Sequence, residues 1–124
     1  MKIIIKAKNL EQSEALNKFI EEKFFTLKKF IDILKRPDEG KTLAEVFVEV
    51  EKESRHHRKG EIFLVKAQAI LPGRSIMAEA KEEDLFKAVI AARDELRMEI
   101  EKYKVKKVDK NRREQRKAKT EIER

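Results

Sequence analysis

The sequence predicts an α+β domain of order β-α-β-β-β-α. A four-stranded sheet carries two helices packed on one face, and the second helix is long with a basic C-terminal extension. Three observations carry this prediction. Two long stretches repeat apolar residues at the helical period, residues 43–53 alternate apolar and acidic side chains, and the turn-forming residues fall between these segments rather than inside them.

Residues 2–8 (KIIIKAK) open as a strand, because three consecutive β-branched residues lose χ1 freedom in a helix but pack well on a pleated surface. Asn9 and Leu10 turn the chain, and Ser13 is placed to cap a helix that runs to about Leu34. Its apolar stripe is Leu16, Phe19, Ile20, Phe24, Leu27, Phe30, Ile31 and Leu34. Pro37 and Gly40 then stop the helix and begin a loop.

In residues 43–53, Ala44, Val46, Val48 and Val50 fall on one face of a strand, with Glu45, Phe47, Glu49 and Glu51 on the other. A polar, basic turn (SRHHRKG, 54–60) leads to a third strand at 61–71, and Pro72-Gly73 turns the chain into a fourth at 74–80. Both connections are short enough for antiparallel hairpins. The second helix begins at Glu82-Glu83-Asp84, acids that suit the positive end of a helix. Its stripe is Leu85, Ala88, Val89, Ala92, Leu96, Ile100 and Tyr103. Residues 1–107 thus read as one folded domain, and residues 108–124 as a polybasic tail or helix extension too polar to bury a continuous face.

Charge is unevenly distributed in this 124-residue chain of net charge +7. Residues 1–101 hold twenty basic and twenty acidic residues, whereas residues 102–119 hold ten basic against two acidic. A polybasic segment of this kind suits a polyanion, because each neutralised phosphate releases a condensed counterion, and it also serves as a solvated tail.

Several function classes are excluded or disfavoured by inventory. With no cysteine there is no disulfide, thiolate metal site or thiol nucleophile. The apolar runs are too short to span a bilayer and no signal pattern opens the chain, so a cytoplasmic location without membrane partner is expected. Ser13, Ser54 and Ser75 lack a nucleophile-elbow setting, and Gly40, Gly60 and Gly73 are isolated, so no phosphate-cradling loop is formed. His56 and His57 are adjacent and point to opposite sides of an extended chain, a poor chelating arrangement. The expectation is therefore no catalytic residue, metal, cofactor or small-molecule substrate.

Candidate binding residues are basic. With Leu85 at zero and about 100° per residue, Arg93, Arg97 and Lys104 fall at about 80°, 120° and 100°, a row on one shoulder of the apolar stripe. The row could follow a phosphate backbone or simply solvate the helix with ion pairs such as Arg97–Glu101. Phe86 and Ile90 precede it on the same shoulder. Lys23 lies within the first helix's stripe and must snorkel or find a partner. Lys28, Lys29 and Lys35 fall on exposed arcs. With eight aromatic residues, most in core periodicity, no base-stacking platform of the single-strand-binding kind is indicated, and any nucleic acid would be gripped by phosphate and shape.

Four segments in their order resemble the short-form ribosome hibernation promoting factors, also called the ribosome-associated inhibitor A or ribosomal subunit interface protein family. They are LEQSEALNKFIEEKFFTLKKF (10–30), VFVEVEKE (46–53), KGEIFLVKAQAILPG (59–73) and IMAEAKEEDLFKAVIAARDELRMEIEKYKVK (76–106). The resemblance covers residues 1–107. It implies a ribosome-binding domain that occupies the decoding region of the small subunit, where messenger RNA and tRNA anticodon stems would sit, and so silences translation. The implied partner is ribosomal RNA of the small subunit. The implied contacts are Lys23 and Lys29 on the first helix and Lys102, Lys104 and Lys106 at the end of the second; Lys107, Arg93 and Arg97 join them as candidate rRNA-binding residues of this chain. Two positions depart: Glu95 and Met98 stand where the family usually carries basic residues. The second, dimerising domain of long-form members is not expected. The rival readings are a general double-stranded-RNA-binding module, which resembles this strand–helix order but starts its last helix with basic residues, and a protein-binding adaptor.

Overall fold

Four strands form one sheet in the spatial order β1-β2-β3-β4, and every helix lies on the same side of it. The computed structural model describes residues 1–34, 44–54, 60–71 and 73–122, with side chains described at all of these except 54 and 105–122. The elements are β1 (Lys2–Lys8), α1 (Glu14–Phe25), α2 (Lys28–Leu34), β2 (Glu45–Ser54), β3 (Glu61–Leu71), β4 (Arg74–Glu82) and α3 (Leu85–Ile122). β1 pairs parallel with β2, since the chain crosses over through α1 and α2, and β2-β3-β4 is an antiparallel meander. This is the expected α+β architecture.

Register explains which residues enter the core. Ile5 faces Val48, Val48 faces Ala67 and Ala67 faces Ala78, so one row of inward side chains runs across all four strands. Val46, Val48, Val50, Val65, Ala67 and Ala69 are buried, while their neighbours Phe47, Lys66 and Met77 face away and are exposed. The small alanines of β3 and β4 let α3 sit close against them with Ala88, Val89, Ala92, Leu96 and Ile100, all buried. Burying each large aliphatic side chain stabilises the fold by about 1.5–3 kcal/mol. No described side chain that is buried is polar or charged.

The first helical segment differs from the sequence expectation. A single helix from Ser13 to Leu34 is predicted, but the chain forms α1 and α2 with a break at Thr26 and Leu27. The hydroxyl of Thr26 donates to the Lys23 carbonyl at 2.6 Å, and the Leu27 N–H bonds three residues back to Phe24 at 3.0 Å. Side-chain back-bonding by threonine and a tightened turn together interrupt the ordinary ladder. Ile20, Phe24, Leu27, Ile31 and Leu34 remain buried across the break, so the apolar spacing that predicts one helix also fits two.

Local signals account for the boundaries. Ser13 caps α1, its hydroxyl accepting the Leu16 N–H at 3.1 Å. Asn9 takes φ of 60°, a left-handed conformation that asparagine tolerates. Gly73, at φ +73°, turns β3 into β4 where any side chain would be strained. The start of α3 is later than expected: Glu82 ends β4, still paired with Phe63, and Asp84 is the cap, accepting the Lys87 N–H at 3.1 Å. Beyond Ile100, the last buried residue among those described, Tyr103 is half-buried against the core, and the polybasic stretch continues as helix to Ile122. No helix among the described residues is long and apolar enough to cross a membrane.

Candidate nucleic-acid interface

Four of the predicted basic residues, Lys23, Lys29, Arg93 and Arg97, lie where α1 and α2 meet α3. The rings of Phe19 and Phe86 are 4.7 Å apart at 89°, an edge-to-face contact, and the Arg97 guanidinium carbon lies 4.8 Å from the Phe30 centroid. Both pairs have the same sequence separation, so the α1–α2 run and α3 proceed side by side in one direction. Between them is a seam lined by aromatic rings and rimmed by cations.

Each predicted residue takes a definite place in this arrangement. Lys23 is half-buried, and its ammonium extends over the Phe19 ring at 5.4 Å, so it snorkels along the seam as its position in the apolar stripe requires. Lys29 is exposed on α2, with its ammonium 5.1 Å from the Phe30 centroid. Arg93 keeps 22% of its side chain exposed and pairs with Asp94 at 2.9 Å. Arg97 pairs with Glu101 at 3.3 Å, the expected i,i+4 contact, while also covering Phe30. Surface ion pairs of this kind contribute little to stability.

Lys102 stands apart. It is about 160° around α3 from Lys104 and pairs with Glu99 at 3.2 Å. Lys104 is exposed and has no ion-pair partner among the described residues. Glu95 and Met98 share the Lys102 side, about 160° and 100° from Arg93 and Arg97 respectively. The two arginines therefore open onto the seam and do not replace basic side chains on that far side. Lys106 and Lys107 lie within α3, but their side chains are outside the described residues, as are His56, His57 and Lys35.

The aromatic partners are what sequence reading missed. Phe86 is visible on the arginine shoulder, but its contact with Phe19 depends on how two helices pack, which helical periodicity in one segment does not encode. Among the described residues no group of three His, Cys, Asp or Glu side chains could hold a metal ion.

Comparison with known proteins agrees with this architecture. Residues 3–108 match the family described as Sigma 54 modulation protein / S30EA ribosomal protein. Among solved structures, a ribosomal subunit interface protein from Coxiella burnetii superposes with a TM-score of 0.60 at 22% identity, over 85% of this chain and 99% of that one. The N-terminal domain of Thermus thermophilus Protein Y gives 0.58 at 21% identity, over 83% and 99%. At such identities these likenesses establish a shared fold. No curated protein sequence matches the chain significantly.

Proposed function

The chain belongs to the Sigma 54 modulation protein / S30EA ribosomal protein family, and from that premise we propose that it is a ribosome hibernation factor. It binds the small ribosomal subunit near the decoding centre through basic helix residues and blocks messenger RNA and tRNA. It works in the cytoplasm, where ribosomes are, as a binding protein rather than an enzyme.

The observation that carries this reading is the placement of charge. A domain with as many acids as bases up to residue 101 offers cations on two sides of one projecting helix. Lys23, Lys29, Arg93 and Arg97 rim the seam, Lys104 continues the arginine side of α3 beyond it, and Lys102 faces the other way. A polyanion that surrounds the helix, as a channel through RNA does, would meet both sets, whereas a flat anionic surface would meet one. Lys106 and Lys107 extend the same helix toward the polybasic segment. The double-stranded-RNA alternative is disfavoured because such modules start their last helix with basic residues, whereas this chain carries Glu82, Glu83 and Asp84 just ahead of α3.

Sedimentation with purified ribosomal subunits tests the reading. The protein is expected to travel with small subunits at low salt and to be released as salt rises. Migration with large subunits alone, or with neither at low salt, would sink it.

A further inference from the structure

We propose that Phe86 is a nucleobase platform: its ring stacks against an unpaired base of the RNA that the basic seam holds. This deepens the ribosome-binding reading and rests on it. Phe86 is 50% exposed although it sits beside the core on the first turn of α3. Its ring meets Phe19 edge-to-face, which fixes its orientation while leaving half its surface open to solvent. Phe30, the other ring at the seam, is half-buried against the core and already approached by two cations, Lys29 at 5.1 Å and Arg97 at 4.8 Å. Among the described residues no cation–π contact is found at Phe86, and the Lys23 ammonium lies 5.4 Å from the centroid of its ring partner Phe19.

A fixed, half-open aromatic ring next to a snorkelling lysine matches the two chemical faces of a nucleotide. The ring takes the π surface of a base and the ammonium takes its phosphate. The other exposed large apolar residues lack this company: Phe25, Ile33, Phe47, Met77 and Met98 have no described aromatic or cation–π partner. The stacked base must be unpaired, because a base inside a duplex has both faces covered. Single-stranded loops and bulges are where RNA presents such bases.

The chain has no tryptophan, so Phe86→Trp introduces a unique fluorophore at the site. Titration of this variant with purified small subunits should quench the indole as it stacks, with affinity close to that of the natural protein. Phe86→Ala should bind roughly 5- to 100-fold more weakly, with the salt dependence of binding unchanged because phenylalanine neutralises no phosphate. Phe86→Leu separates stacking from packing: it retains an apolar contact with Phe19 but no π face, and should bind as weakly as the alanine variant. Natural affinity in Phe86→Leu, or an indole signal that ignores a co-sedimenting subunit, would overturn the platform while leaving ribosome binding intact. If the natural protein itself fails to co-sediment, both readings fall together.

Discussion

The Arg97 guanidinium carbon stands 4.8 Å from the centroid of the Phe30 ring, joining α3 to α2 through a cation–π contact at the solvent edge of the core. Phe30 is half-buried and packs against the core, so the ring is held from below and presents a fixed surface to the arginine. Arg97 retains 53% of its side chain exposed, and Glu101 bonds the guanidinium at 3.3 Å. The contact thus fixes where a positive charge sits without removing it from water. A guanidinium suits this position because it is planar and weakly hydrated, and it can stack while still donating to a phosphate.

A double-mutant cycle measures that contact. Arg97→Ala and Phe30→Ala, alone and together, are expected to show a coupling of about 0.5–1 kcal/mol, the range for cation–π pairs at exposed sites. Urea denaturation of the four proteins provides the free energies. A coupling indistinguishable from zero would mean that Arg97 passes over the ring without holding it.

The salt dependence of ribosome binding should count the contacts on each side of α3. Lys104→Ala and Lys102→Ala are each expected to flatten the plot of log affinity against log salt by about 0.7–0.9 and to add when combined. The two residues lie about 160° apart on the helix, so both effects appear only if the polyanion reaches both sides. A change confined to Lys104→Ala would place the RNA along the arginine side of α3 alone.

Lys23 separates binding from folding. Its stem is half-buried in the seam and its ammonium reaches out over Phe19, so Lys23→Met keeps the packing and removes the charge. Stability in urea should stay within about 0.5 kcal/mol or rise, because no buried partner is orphaned. Ribosome binding should weaken with a flatter salt slope. Full affinity in this variant would reduce Lys23 to a packing residue.

These contrasts show what the linear sequence encodes and what it leaves to packing. The alternation of Val46, Val48 and Val50 determines an inner strand face, and it is legible because successive strand residues point to opposite sides. The break at Thr26 is not legible from periodicity, since two helices joined by a tightened turn keep the same buried spacing as one. The late start of α3 follows from β4 pairing as far as Glu82, a tertiary contact that outweighs the suitability of acids at a helix start. For the site, single-helix arithmetic places Arg93, Arg97 and Lys104 on one shoulder, as they are found. It also places Phe86 there, but the meeting of Phe86 with Phe19 requires the angle and offset between helices.

The link between Arg74 and Leu34 is another contact that only the fold creates, and it concerns how the seam is held in place. Arg74 begins β4, and its Nη2 donates to the Leu34 carbonyl oxygen, the last residue of α2, at 2.6 Å. The final carbonyls of a helix have no partner within it and carry partial negative charge, so a guanidinium there satisfies an acceptor and meets the helix dipole favourably. The bond is part-buried and spans forty residues of chain, tying α2 to the β3–β4 turn. Hydrogen bonds to charged groups contribute about 1.5–3 kcal/mol, so Arg74→Met, which keeps much of the apolar stem, should lower the urea midpoint by about 1 M for slopes typical of small domains. Amide exchange should accelerate in α2 more than in α3, because α3 remains packed on β3 and β4. A midpoint that does not move would show that packing of Ile31 and Leu34 holds α2 unaided. Faster exchange spread evenly over the domain would show instead that Arg74 stabilises the sheet rather than the helix end.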